Sequence, residues 1–113
     1  MFLDDELKQI YLDSIDKRTI GETVEKIITA CTNRLHQPED VSKDQWLSQY
    51  PTLLKQVDNS FVRFMKECNP PFMNQYTFKE YIYKASARNM LEDQIIRFFK
   101  ILNWEIKPEW KIK

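Results

Sequence analysis

One glycine, Gly21, occurs in 113 residues, and that scarcity excludes a good deal. Primed two-residue hairpin turns need positive φ, and phosphate-cradling loops need backbone without a Cβ, so both ask for glycine that this chain does not have. No dinucleotide or P-loop glycine pattern is present. Histidine is as scarce: His36 stands alone, so any Ser–His or Cys–His pair would have to run through it, and its place beside Pro38 at a predicted helix end suits a helix-terminal histidine near exposed carbonyls. Cysteine is limited to Cys31 and Cys68, both on helical apolar faces, which reads as two small buried thiols in a reducing compartment rather than a disulfide.

Metal spacing is missing too. Cys31 and His36 lie five apart on a helix and do not share a face, and neither a CxxC nor an HExxH occurs. Glu22 and Glu25 face one way, but without a histidine or a second acidic pair they read as a solvated face. The expectation is therefore no catalytic residue, no metal and no cofactor. No run of about 18 apolar residues and no charged-then-apolar leader is seen, which predicts a soluble protein, cytoplasmic or virion-associated, with no membrane partner. Formal net charge is zero, so no whole-molecule field draws nucleic acid or anionic lipid. Residue usage, rich in Lys, Ile, Asn, Phe and Tyr, is that of AT-rich genomes, phages among them.

What the chain does have is apolar periodicity. At 42% hydrophobic and 13% aromatic it supports one core, and the spacing of that content is helical nearly throughout. Leu3, Leu7, Ile10, Tyr11 and Ile15 mark a first helix with Asp4, Asp5 and Glu6 in its opening turn. Thr19 and Glu22 form a capping box for a second, whose stripe Ile20, Val24, Ile27, Ile28, Cys31 and Leu35 runs to about His36. Ser42 and Gln45 start a short third helix over Lys43 to Gln49, and Pro51 suits the first turn of a fourth carrying Leu53, Leu54, Val57, Phe61, Phe64, Met65 and Cys68. Thr77 and Glu80 cap a fifth helix, with Tyr76 stapled to Tyr81 and with Phe78, Tyr81, Ile82 and Ala85 on one face. The most committed apolar segment, Asn89 to Trp104, has Asn89 as N-cap, and its stripe of Leu91, Ile95, Phe98 and Leu102 is widened by Ile96, Phe99 and Ile101, so it reads as the core post.

From Trp104 the period changes to two: Trp104, Ile106, Pro108, Trp110 and Ile112 alternate with charged residues and no second strand pattern exists to pair with them. The predicted architecture is all-α, a single-domain irregular bundle of five or six helices over residues 1–103 with an extended amphipathic tail over 104–113. The tail either lies across its own body, with the tryptophans in grooves, or docks on another molecule.

Charge is uneven: the first 60 residues are net acidic, the remainder net basic and rich in aromatics. An acidic face and a basic face favour association with oppositely charged partners or head-to-tail self-assembly. The function expected is thus a non-enzymatic helical interaction module, an accessory or assembly factor docking on a larger protein complex or on its own copies, through Phe72, Met73, Trp104, Ile106, Trp110 and Ile112, apolar residues without an obvious internal partner. The alternative is a nucleic-acid surface built from Lys79, Lys84, Arg88, Arg97, Lys100, Lys107 and Lys111 interleaved with aromatics. A helix-turn-helix over Ser42 to Arg63, offering Thr52, Gln56 and Asn59 to bases, is a weaker form of it, since its turn lacks glycine.

Overall fold

A computed structural model describes residues 2–111. Its order is α1 (Leu3–Ser14), α2 (Ile20–Asn33), α3 (Lys43–Cys68), α4 (Gln75–Ala87), α5 (Glu92–Ile101) and a 3₁₀ turn at Pro108–Trp110, with no strand among the described residues. The all-α bundle expected from the periodicity is what forms. Helices α1 and α2 pack on one another and α1 lies along α3; α4 bridges α2 and α5, and α5 closes against α3.

The organising element differs from the one the sequence suggested. Pro51 does not begin a helix: it sits inside α3, a continuous helix of 26 residues that spans about 39 Å at 1.5 Å per residue. Proline withdraws one backbone hydrogen bond, the one otherwise made to Leu47, and that loss is tolerated because a single apolar stripe continues across it. Trp46, Tyr50, Leu54, Val57, Phe61 and Phe64 are all buried at i, i+4, i+8, i+11, i+15 and i+18, so splitting the helix would turn half of them out of the core. With no turn inside Lys43–Cys68, the helix-turn-helix reading of Ser42 to Arg63 falls, and Thr52, Gln56 and Asn59 are solvated residues of one helix. The segment after Asn89, expected as the post, is shorter and less central: α5 has ten residues and buries Ile95, Phe98 and Phe99, while Leu91 and Ile101 are exposed.

Two caps were read correctly and two were misplaced. Thr19 Oγ1 accepts the Glu22 N–H and Ser42 Oγ accepts the Gln45 N–H, each at 3.2 Å. For α4 the cap is Asn74, whose Oδ1 accepts the Thr77 N–H at 2.9 Å; starting the helix three residues early buries Phe78, Ile82, Tyr83 and Ser86 and leaves Tyr81 outside. For α5 the N-cap is Leu91, whose N–H is taken by the Gln94 side chain at 3.0 Å. Asn89 belongs to the turn that ends α4, its N–H bonded to Ser86 O. At the other end of α1, Ile15 is the C-cap and is exposed.

Asparagine takes over the turns that glycine usually serves. Asn69 (φ 42°) ends α3, and its N–H returns to Met65 O at 2.9 Å. Asn103 (φ 59°) ends α5, where its N–H reaches Lys100 O and the Trp104 N–H reaches Phe99 O at 2.8 Å. These are left-handed caps, for which asparagine is the best substitute for glycine. The chain's only glycine is not used there; it lies in the first turn of α2 with ordinary helical backbone.

Trp104 through Lys107 have no regular structure, and the tail then closes in the 3₁₀ turn. Trp104 and Trp110 are buried in the chain's own core. Trp104 meets Phe99 edge-on at 5.0 Å and Phe78 at 6.1 Å; Trp110 sits among Tyr76, Tyr83 and Phe99 at 5.5 to 6.5 Å. Of the two courses open to the tail, packing on its own body is the one taken.

Candidate functional site

The residues expected to meet a partner divide. Met73, Trp104 and Trp110 are interior; Phe72 is half-buried with its ring 5.8 Å from Tyr11 of α1; Ile106 is half-buried; Ile112 lies outside the described residues. Their apolar area has internal partners after all, because the two-proline link folds back on α1 and the tail folds back on α4 and α5. Ile106 and the edge of Trp104 line a surface groove of about 420 Å³, with Ile96 and Pro108 between Lys100 and Lys111.

The basic set divides as well. Lys84 pairs with Glu80 at 3.1 Å, Lys107 with Glu105 at 3.1 Å and Lys111 with Glu92 at 3.3 Å. Lys79 lies over the Trp104 ring, 5.1 Å from its centroid, a cation–π contact that belongs to the tail's anchorage. Arg88, Arg97 and Lys100 are exposed.

Close to Lys79 and Trp104 lies an acidic residue of α3. Asp58 of α3 is half-buried, and its Oδ1 is enclosed with no hydrogen-bond partner. Burial pushes its carboxyl above the usual carboxylate range, against the Lys79 charge and the Trp104 indole N–H, both of which favour the ionised form. A carboxyl whose pKa is higher folded than unfolded gives stability that is present below the unfolded value and lost as pH rises through the folded one. Asp58→Asn keeps an acceptor for the indole and removes the buried charge, so it raises the melting temperature at neutral pH. Thermal melts from about pH 3 to 7 will show the gap between variant and wild type closing toward acid, where both side chains are neutral. A gap that widens toward acid would mean the ionised carboxylate holds the tail.

His36 is exposed just beyond α2, at a cleft of about 70 Å³ shared with Thr32, Leu35, Trp46, Tyr50, Ala85, Ser86, Arg88 and Asn89. That volume holds a few water molecules at most. Its inner wall is spoken for: the Tyr50 hydroxyl and Ser86 Oγ are 2.5 Å apart, Trp46 Nε1 donates to Leu35 O at 3.0 Å, and burial lifts the Tyr50 phenol to about 12. Cys31 is wholly enclosed with its thiol pushed up to about 12 by burial, and Cys68 is half-buried; both are free. A thiol so raised is a poor nucleophile at neutral pH. Among the described residues no three His, Cys, Asp or Glu side chains converge to hold a metal, and no helix is long and apolar enough to cross a membrane.

What sequence reading missed is a groove between α2 and α4. It encloses about 610 Å³, has Val24, Ile28 and Ala85 on its floor, and carries Glu25 on the α2 side against Lys84 and Arg88 on the α4 side. Gly21 and Tyr81 line it as well, and both are solvent-exposed, Tyr81 at 43%. Next to Gly21, Ile20 is 65% exposed, and Leu12 and Ile15 at the end of α1 are exposed as well. On the other flank of α2 a second groove, shared with α1, is acidic, with Glu6, Asp13, Glu22 and Glu25 against Arg18 and Lys26. Periodicity locates each helix's inner face, but it does not say that α2 and α4 stand side by side, because 47 residues of chain separate Asn33 from Tyr81. Compared with protein-family models, curated proteins and solved structures, the chain matches none.

Proposed function

We propose that this protein is a non-catalytic protein-interaction module that docks its partner in the α2/α4 groove. The observation that carries this reading is the groove's make-up: an apolar floor between rims of opposite charge, with the exposed Ile20 and Tyr81 beside it. Large exposed apolar side chains gathered at one place, rimmed by polar groups, are what protein interfaces leave on a free subunit. The concavities of comparable size are likewise open grooves between helices, and the cleft at the only histidine is of water size. The role of an accessory or assembly factor on a larger complex fits such a module.

A photo-crosslinking residue at Thr29, on the groove, and another at Lys55, exposed on α3 away from it, test the reading. The expected result in extracts of the native host is a discrete protein adduct from Thr29 that Lys55 does not give and that Tyr81→Arg removes. Absence of any adduct specific to Thr29 would overturn it. A gel shift with single- and double-stranded oligonucleotides at about 50 mM salt addresses the basic set, and no retention is expected there.

A further inference from the structure

We infer that the occupant of the α2/α4 groove is the same groove of a second copy, joined about a two-fold axis that runs along it. This rests on the groove being the docking surface, and it begins from Gly21. Both positive-φ caps among the described residues are filled by asparagine, so this chain does not keep glycine for turns. Gly21 has ordinary helical backbone in α2, and a Cβ built on it meets nothing within 4 Å. Glycine is a poor helix former, and nothing inside the protomer requires one at this position. Room at Gly21 is of use only to something that arrives from outside.

Thr32 and Arg88 line both the groove and the adjoining cleft at His36. They therefore mark the same end, which puts Gly21 and Tyr81 together at the other, with α2 and α4 running side by side in one direction. A two-fold axis along the groove turns the second copy over, so that its α4 lies across this protomer's α2 and its α2 across this protomer's α4. Glu25 then faces the second copy's Lys84 and Arg88, and the same pairing is made again by symmetry. The gap at Gly21 receives the second copy's exposed Tyr81 ring, also twice. Rims of opposite sign are self-complementary under this operation alone: each acid meets a base, and no like charges are set opposite one another. Lys84 already pairs with Glu80 of its own helix, which leaves Arg88 as the less encumbered partner for Glu25.

Sedimentation velocity on the intact chain, from low micromolar upward, is the test. The wild type is expected to show a reversible monomer–dimer equilibrium that weakens as salt screens the rims. Gly21→Ala is expected to melt higher yet associate less, and Gly21→Leu to remain monomeric with an unchanged circular dichroism spectrum. The decisive pair is Glu25→Lys and the double variant Lys84→Glu with Arg88→Glu. Each alone sets like charges in opposition and is expected to weaken self-association by more than about tenfold. Mixed, they restore opposite charges at both contacts and form a one-to-one heterodimer. A wild type that stays monomeric at high micromolar concentration overturns the inference, as does a dimer indifferent to either charge reversal or a mixture of the two that stays monomeric. A monomeric wild type that still gives the Thr29 adduct with another protein overturns the second copy and leaves the groove reading standing.

Discussion

Phe61→Ala is expected to cost about 3 to 5 kcal/mol of unfolding free energy, the range for a phenylalanine truncated in a packed core. Phe61 has no exposed surface, and its ring stacks on Phe78 of α4 at a centroid distance of 4.0 Å with the planes 7° apart. On its other side Phe64 approaches at 6.3 Å, and Phe64 in turn meets Tyr11 of α1 edge-on. Truncation therefore opens a void at the joint where α3 holds α4, and the aromatic pair adds its own contribution of about 0.5 to 1.5 kcal/mol. The walls of that void are themselves large and held by further neighbours, so they relax little. Against a total of about 5 to 15 kcal/mol for a domain of this kind, the variant loses a large share of its stability. Urea unfolding gives the number. A midpoint shift with unchanged slope and a loss inside that range is the expected result, whereas a loss under about 1 kcal/mol would mean α3 and α4 are not rigidly joined there.

How far such a joint can be read before a structure exists depends on the range of the interaction that makes it. Thr19 and Ser42 were legible because a cap is a bond between residues three apart, and α1 and α2 followed from the same local rules. Where two local signals competed, burial decided. Thr77–Glu80 has the pattern of a capping box, yet Asn74 caps α4, its Oδ1 taking the Thr77 N–H, so the helix already has a full turn before Phe78 stacks on Phe61. Pro51 looked like a beginning because its ring disfavours the helix interior, and it lies in the interior because Tyr50 and Leu54 on either side of it both have to reach the core. The tail's alternation was a true signal of one-sided burial, but the acceptor of that side, Tyr76, Tyr83 and Phe99, comes from two other helices. The α2/α4 groove is of the same long-range kind. Gly21 was the one local clue to it, visible only once the asparagine caps had removed the usual reason for a glycine.

Trp110→Ala tests that tail, and its expected cost is also about 3 to 5 kcal/mol, or on the order of 10 °C or more in melting temperature for a chain of this length. Trp110 keeps 2% of its surface exposed although it belongs to a turn of three residues near the end of the described chain. So short a turn has no stability of its own, and its order comes from the ring and from a few polar ties. Those ties are the Tyr76 hydroxyl donating to Glu109 Oε1 at 2.5 Å, outside the packing itself, and Lys111 near Glu92 at 3.3 Å. Both are exposed and contribute little once the ring is gone. Removing the indole thus does more than leave a void beside Phe99. It releases the turn, uncovers Tyr83, and weakens the hold on Trp104, whose own ring leans on Phe99 from the neighbouring side. A tail whose tryptophan served an outside partner would behave otherwise: the melting temperature would stay within a degree or two of wild type while association was lost. The two outcomes separate on one thermal melt, and the enclosed ring requires the first.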